Sequence, residues 1–191
     1  MAHGFDLALL KRGLNRQEPL PLPEKELPIA SVAIIIDPEN RGGSVLLIQR
    51  IERSGDPWSG QIGFPGGHMS PSDRGFLQTA IREAEEEVGI DLSQQELLGS
   101  MPFVTTLSRR VQVASFVWAL RSPVTVRPNR EVADSFWVSL AELMRLDVER
   151  TIVHLEEGKV EADCFNYHGR IIWGLTLRIL NLLLGRRADY R

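Results

Sequence analysis

Short apolar runs rich in β-branched residues alternate with polar, turn-forming segments, and this pattern predicts several β-strands. The first two runs, "ASVAIII" at 30–36 and "SVLLIQ" at 44–49, are separated by "DPENRGG", so they predict a β-hairpin. Between residues 58 and 73 the many glycines and prolines predict an irregular loop with at most one short strand. Further strands are predicted in "ELLGSMPFV", "VQVASFVWAL", "DSFWVSL", 151–155 and 163–167.

Apolar residues at helical spacing predict four helices between these strands. Residues 75–88 carry one apolar stripe, with Ser72 or Asp73 available to cap the start and Gly89 placed to end the helix. The other helices are predicted at 1–16, in "SLAELMRL" with Ser139 as its cap, and in the closing "IIWGLTLRILNLLLG". Strands before, between and after isolated helices indicate a layered α/β or α+β fold, not a helical bundle.

The repeated prolines of "EPLPLPEKELP" predict an extended connector, because proline forbids a regular helix. We therefore expect the compact body to begin near Ile29. A chain of 191 residues with 43% hydrophobic residues is long enough for one full core. The predicted organisation is an N-terminal helix and Pro-rich arm at 1–28, followed by one domain at 29–191.

Charge and hydropathy limit the kinds of partner that this chain is expected to bind. A formal net charge of -3, from 22 basic and 25 acidic residues, disfavours DNA, which sequence-independent binders attract with positive charge. No apolar run reaches the roughly 18 to 20 residues that span a bilayer, so no membrane is expected. No signal-peptide pattern is present, and a cytoplasmic location is expected. The single cysteine, Cys164, cannot form an internal disulfide, and a homodimer is left open.

An acidic cluster lies on the helix at 75–88, on a different face from its apolar stripe. The string "REAEEEVG" places Glu83, Glu86 and Glu87 at i, i+3 and i+4, so the three carboxylates project within about 100° of one another. Hard cations such as Mg²⁺ or Mn²⁺ prefer this ligand type, and Arg82 is placed to hold one carboxylate. The alternative is an ordinary solvated helix face, with Arg82 pairing with Glu86 at i+4.

The segment "GGHMSPSDRGFLQTAIREAEEEVGI" resembles the Nudix box, whose pattern is G-x5-E-x7-R-E-U-x-E-E-x-G-U with U aliphatic. The matching residues are Gly67, Arg82, Glu83, Glu86, Glu87, Gly89 and Ile90. The resemblance implies an α/β/α sandwich with a mixed sheet and metal-dependent hydrolysis of a nucleoside diphosphate linked to a further group. It also implies Glu83, Glu86 and Glu87 as metal ligands. By the same resemblance, Glu86 and Glu87 are catalytic residues and Arg82 orients the carboxylates.

The box departs from its pattern at the junction of loop and helix. Asp73 stands where the pattern has its early glutamate, and eight residues instead of seven separate it from Arg82. Outside the box, "LLIQR", "SGQIGFPGG" and "IIWGLTLRIL" resemble the coenzyme A diphosphatase branch of the family. That branch has threonine where Ile48 stands, and basic residues and a histidine where this chain has "SGDPW". The branch implies 3',5'-ADP and 4'-phosphopantetheine as products.

Family members often use a further acid from a later loop as base or metal ligand. Glu131 is the candidate here because it lies in a polar turn before a strand, and a solvated loop residue is the alternative. Its competitors are Glu142, Glu156 and Glu157.

Substrate contacts are predicted for four residues around the Gly-rich loop: Arg50, Gln61, Gly66 and Gly67. Trp58, Phe103 and Trp137 are either base-stacking or core residues.

The sequence leaves several functions open. ADP-ribose, dinucleoside polyphosphates and nucleoside triphosphates are alternative substrates for a diphosphatase of this kind. A nucleotide-sensing module without turnover is an alternative class, although all three helix carboxylates remain. An RNA-processing factor would need a basic surface stripe, which the charge balance does not indicate.

Overall fold

The computed structural model describes residues 6–17, 28–56, 58–106, 111–155 and 158–186. Most of the predicted Pro-rich arm and the two candidate acids Glu156 and Glu157 lie outside these ranges. The strands are β1 (Ile29–Asp37), β2 (Ser44–Arg50), β3 (Ile62–Gly63), β4 (Gly66–His68), β5 (Glu96–Thr105), β6 (Gln112–Ala119), β7 (Val132–Ser139), β8 (Glu149–Leu155), β9 (Gly158–Tyr167) and β10 (Arg170–Trp173). The helices are α1 (Leu7–Gly13), α2 (Phe76–Val88), α3 (Leu140–Leu143) and α4 (Gly174–Leu183).

A seven-stranded mixed sheet forms the centre of the fold. Strands β1 and β2 make the predicted antiparallel hairpin, with Ile36 opposite Val45. Strand β1 also pairs in parallel with β6 over eight residues, while the other pairs in this sheet are antiparallel. The order is β3-β2-β1-β6-β5, with β7 on the other side of β2 and β4 beside β1. The mixed sheet between helices confirms the predicted α/β class.

The central strands are apolar throughout because both faces of the sheet are covered. Alternate residues point to opposite faces, so Ala33 and Ile35 face α2 while Ile34 and Ile36 face α4. All four side chains are fully buried. The result is the sandwich of helix, sheet and helix that the resemblance implies.

A second, three-stranded antiparallel sheet in the order β10-β9-β8 lies beside α4. Its last strand overturns one prediction, because "IIW" is part of β10 and not of the closing helix, which begins only at Gly174. Ile172 pairs with Phe165 on β9, and Gly174 takes a φ of +61° between strand and helix. That backbone conformation favours glycine, so the chain turns sharply at this position.

Helix α1 is shorter than the predicted segment and packs against the body. Leu7, Leu10 and Leu14 contact the core on the α4 side of the sheet. Asn15 forms a β-bridge with Ser100 on β5, with N···O distances of 2.9 and 2.8 Å. Lys11 forms an ion pair with Glu96 at the start of the same strand.

The structure also decides the predicted cap of α3 and the number of strands in the Gly-rich loop. Helix α3 follows Ser139, whose hydroxyl accepts the N–H of Glu142 at 3.3 Å, so that cap is confirmed. The Gly-rich loop holds two short strands, β3 and β4, where at most one was expected, because each finds a partner in the hairpin. None of the helices in the described ranges is long and apolar enough to cross a membrane.

Candidate active site

Helix α2 carries its acidic residues on a different side from its apolar face, and two of them lie against β4. Its buried face packs on β1 and β6 through Ala80, Ala84 and Val88. The helix ends, as predicted, at Gly89 with a left-handed φ of 69°. The prediction that Ser72 or Asp73 caps its start was wrong, since Gly75 occupies that position without a side-chain hydrogen bond.

The carboxylate of Asp73 is used elsewhere, as the anchor of Arg82. Arg82 donates from Nε to Oδ1 and from Nη2 to Oδ2 of Asp73, both at 3.0 Å. Oδ2 also accepts the Ser70 N–H at 2.8 Å and the Thr79 hydroxyl at 2.9 Å. The bonds from Arg82 are the main reason that the pKa of Asp73 falls to about 2. Asp73 therefore stays ionised and fixes the guanidinium, despite the extra residue in the interval.

Arg82 in turn contacts two residues of the acidic cluster. Its Nη1 lies 2.7 Å from Oε1 of Glu83 and 3.2 Å from Oε2 of Glu86. Its Nη2 also donates to the His68 carbonyl at 3.2 Å, which ties the helix to β4. The predicted orienting contacts of Arg82 are thus present, and they include the i+4 pair with Glu86.

Glu87 is the most buried carboxylate of the cluster, with 3% of the residue exposed. Its Oε2 accepts the Gly66 N–H at 2.8 Å, and its Oε1 lies 3.7 Å from Nη1 of Arg50. Burial is the main reason that its pKa rises to about 7, and the charges of Glu83 and Glu131 raise it further. The bond from Gly66 and the charge of Arg50 only partly offset that rise.

Gly67 makes room for the Glu83 carboxylate. A Cβ at residue 67 would lie 2.6 Å from Oε1 of Glu83, closer than real atoms approach. Gly66 is equally constrained, since its Cβ would lie 2.7 Å from Cα of Val32. The double glycine therefore brings backbone directly against the two carboxylates. Burial raises the pKa of Glu83 also, although Arg82 beside it acts in the opposite direction.

The side chains of Glu83 and Glu87 both lie against the double glycine, while Glu86 diverges from them. Within the described ranges, no three His, Cys, Asp or Glu side chains converge as an ion site. The side chain of Glu86 is 58% exposed and is held by Arg82. A cation beside Glu83 and Glu87 would offset the burial and the repulsion that together raise the pKa of Glu87, and oxygen ligands suit hard ions. Glu86, one helical turn from Glu83, is the third candidate ligand.

The competing acids lie at opposite ends of β2. Glu131 stands at the Arg50 end, where its carbonyl accepts the Ile51 N–H at 2.9 Å and its Oε1 lies 3.3 Å from Nη1 of Arg53. Glu142 follows Ser139, which pairs with Ser44 at the other end of β2. The six-residue separation corresponds to about 20 Å. Glu131 is therefore beside Glu87, whereas Glu142 is remote and contacts His168 at 3.1 Å.

A depression, called here the side cleft, opens between residues 49–61 and the three-stranded sheet. It consists of two adjoining cavities of about 390 and 400 Å³ that share Glu52, Ser59, His154 and Leu155 in their walls. Arg50 connects the side cleft to Glu87, because its Nη2 donates to Asp56 on the cleft wall at 3.0 Å. The Asp-Pro pair at 56–57 is typical of a turn, so no sequence signal singles out Asp56.

The remaining predicted contacts divide between cleft and core. Gln61 lines the side cleft, while Gly66 and Gly67 lie against the carboxylates. Phe103 packs edge-on against Phe76 at 5.5 Å in the core, so it is not available to stack on a base. Trp137 packs against the α2-side core, and Trp58 lies edge-on to His68 with 5.9 Å between ring centroids.

Comparison with known proteins identifies the family of this chain. The family model described as the NUDIX domain matches residues 27–156. A protein of Yersinia enterocolitica named "Uncharacterized Nudix hydrolase NudL" is 33% identical over 154 residues, covering 79% of this chain and 78% of the relative. A protein of the same name from Pectobacterium atrosepticum is 32% identical over 138 residues, covering 69% of each chain.

A solved structure agrees at the level of fold. The crystal structure of a C. elegans Ap4A hydrolase binary complex superposes with a TM-score of 0.51 at 23% identity, covering 62% of this chain and 85% of that one. The range matched by the family model spans Asp73, α2 and Glu131. On the combined weight of this match and of the two relatives, the chain belongs to the NUDIX family and is a Nudix diphosphatase.

Proposed function

We propose that this Nudix diphosphatase hydrolyses the diphosphate of coenzyme A, or of a closely related nucleoside diphosphate derivative, with Mg²⁺ or Mn²⁺. One observation carries the substrate assignment. The three segments that resemble the coenzyme A branch, distant in the sequence, all contribute to the side cleft: Gln49 from "LLIQR", Gly60 and Gln61 from "SGQIG", and Ile171 and Trp173 from "IIWG". Each of the two cavities of the side cleft has a volume within the range of about 300 to 1,000 Å³ that is usual for ligand pockets.

The residues that hold the reacting group are grouped on α2 and the double glycine. Nudix hydrolases generally use divalent metal ions, which polarise a phosphoryl group and make bound water more acidic. Glu83 and Glu87 are the proposed ligands, with Glu86 as the third. Arg82, itself fixed by Asp73, keeps the carboxylate of Glu83 in place.

Arg50 and Glu131 have separate proposed roles. Arg50 lies between Glu87 and the side cleft, so its guanidinium is placed to bind a phosphate oxygen of the substrate. Glu131 is half-buried, held by Arg53, and close enough to raise the pKa of Glu87. We assign it as the group that accepts a proton from the attacking water. Attack on one phosphorus of coenzyme A then releases 3',5'-ADP and 4'-phosphopantetheine.

The test is a substrate screen with product identification. Coenzyme A, ADP-ribose, NADH, diadenosine polyphosphates and nucleoside triphosphates are incubated with Mg²⁺ or Mn²⁺, and products are separated by chromatography. The expected result is the highest kcat/KM on coenzyme A or its dephospho form, with loss of turnover on chelation. A Glu87→Gln preparation is the control for contaminating phosphatase. Preferred cleavage of ADP-ribose or a dinucleoside polyphosphate would overturn the substrate assignment, and no turnover with any compound would leave the nucleotide-sensing alternative.

A further inference from the structure

The charges around the side cleft are almost completely paired. Arg53 forms its ion pair with Glu131 at 3.3 Å, and Arg50 forms one with Asp56 at 3.0 Å. Arg170, on the opposite wall, donates to Asp134 at 2.7 Å and lies over the Phe136 ring at 3.8 Å. Each arginine at the cleft therefore already has a carboxylate partner.

The remaining charge in the side cleft is negative. Glu52 lines both cavities and forms no ion pair with a described residue, and the cleft walls hold two arginines, Arg53 and Arg170, against two carboxylates, Glu52 and Asp56. An additional phosphate entering the cleft would break an existing ion pair or approach Glu52. Breaking a pair costs free energy because a half-buried carboxylate is left without its partner, and approach to Glu52 costs free energy because like charges repel. The electrostatics therefore disfavour an anionic occupant.

The other walls of the side cleft suit a neutral chain that carries amide groups. Gln49 and Gln61 bring side-chain amides and Ser59 brings a hydroxyl. Ile152, Ile171 and Trp173 supply apolar surface on the sheet side. A pocket whose walls combine polar and apolar groups selects a ligand of matching composition. This composition corresponds to an uncharged polyamide chain and not to a nucleotide phosphate.

We propose that the side cleft binds the uncharged, amide-bearing pantetheine arm of the substrate and leaves the 3'-phosphorylated nucleotide outside it. The inference rests on the proposed function, because it assigns the two ends of coenzyme A to different places. Arg50 marks the boundary, since it contacts Asp56 of the cleft on one side and Glu87 on the other. The diphosphate then lies at this boundary, beside the helix carboxylates.

The kinetic test introduces opposite charges at one exposed cleft position. Ile152 is 62% exposed, so Ile152→Lys and Ile152→Glu leave the core intact. Val160, 43% exposed on the neighbouring strand and outside the cleft walls, receives the same two substitutions as a control. KM and kcat are measured for coenzyme A and for dephospho-coenzyme A, which share the arm and differ by one phosphate.

The expected result is that both Ile152 variants raise KM by a similar factor, about 3- to 10-fold, for both substrates, while kcat stays within twofold. Lysine and glutamate act alike because the occupant has no charge. The Val160 variants leave KM within twofold. If lysine lowers KM and glutamate raises it, and more strongly for coenzyme A than for its dephospho form, the nucleotide end occupies the cleft and the proposal is overturned. An unchanged KM in both Ile152 variants overturns it as well.

A binding experiment separates this inference from the proposed function. Pantetheine, which has no phosphate, is titrated into protein labelled at isoleucine methyl groups, and inorganic phosphate serves as the control. Pantetheine is expected to shift the methyl signals of Ile152 and Ile171, and phosphate is expected to leave both unchanged. If coenzyme A is not hydrolysed but these shifts occur, the proposed substrate fails while the cleft assignment stands. If coenzyme A is hydrolysed and pantetheine shifts neither signal, the cleft assignment alone fails.

Discussion

The missing side chain of Gly67 gives the sharpest test of the carboxylate arrangement. In a Gly67→Ala variant the new methyl group would lie 2.6 Å from Cδ and Oε1 of Glu83 and 2.8 Å from Oε2. Ordinary van der Waals contact begins at 3.4 Å. The carboxylate must therefore move away by about 0.8 Å, the difference between 3.4 and 2.6 Å.

A displacement of this size has a large effect on catalysis and a small one on folding. Moving a reacting or positioning group by about 1 Å typically costs on the order of 100-fold in rate, so we expect kcat to fall about 30- to 100-fold. The concentration of Mn²⁺ that gives half-maximal activity should rise about tenfold, since Glu83 is a proposed ligand. The free energy of unfolding should change by less than about 1 kcal/mol, because only the flexible end of one side chain must move.

Gly63→Ala is the matched control for this experiment. Both glycines lie in short strands of the same loop, and neither has a left-handed backbone. A Cβ at residue 63 would lie 3.6 Å from Oγ1 of Thr176, which is an ordinary contact. The assay is metal-dependent hydrolysis of the best substrate from the screen, with urea unfolding in parallel. Wild-type turnover and metal dependence in Gly67→Ala would refute the reasoning, and equal losses in both variants would point to the loop backbone instead.

Three further predictions concern the carboxylates of Glu87, Asp73 and Glu131. Glu87→Gln should lower turnover at least about a hundredfold. Because burial raises the pKa of Glu87 from 4.5 to about 7, its stabilising contribution is present below pH 4.5 and is lost as the pH rises through 7. In EDTA at pH 8 the Gln variant should therefore resist urea better than wild type. Asp73→Asn should destabilise the protein by about 2 to 3 kcal/mol in urea unfolding, because the half-buried guanidinium of Arg82 loses its buried, charged partner; an unchanged midpoint would contradict this. Glu131→Gln should lower kcat at least tenfold and alter the pH profile of kcat, with little change in KM. Glu142→Gln should change neither kcat nor its pH profile.

The sequence predicts the order of most elements because each has a local signal. β-Branched runs, turn formers and a glycine end identify the hairpin and α2 without reference to tertiary contacts. The boundary between β10 and α4 has no such signal, since "IIW" is apolar enough for either element. Pairing of Ile172 with Phe165 and the turn at Gly174 decide it, and both depend on the folded structure.

The sequence likewise predicts one part of the candidate site, while the other part depends on the folded structure. Helical spacing is sufficient to place Glu83, Glu86 and Glu87 on one face. It does not determine which carboxylate is buried, because that depends on backbone brought in from β4. The Gly66 N–H holds Glu87 inside, whereas Arg82 draws Glu86 outward. The anchoring role of Asp73 likewise requires the loop geometry, since its sequence position fits a helix cap equally well.

The pairing of Asn15 with Ser100 has a consequence for handling the protein. Strand β5 is the last strand of the large sheet, and the residues that follow α1 occupy part of its otherwise open side. A fragment that begins at Ile29 would expose those backbone groups together with the surface beneath Leu7, Leu10 and Leu14. Uncovered strand borders readily recruit strands from other molecules. Such a fragment should self-associate on concentration, even if every residue proposed for hydrolysis is retained.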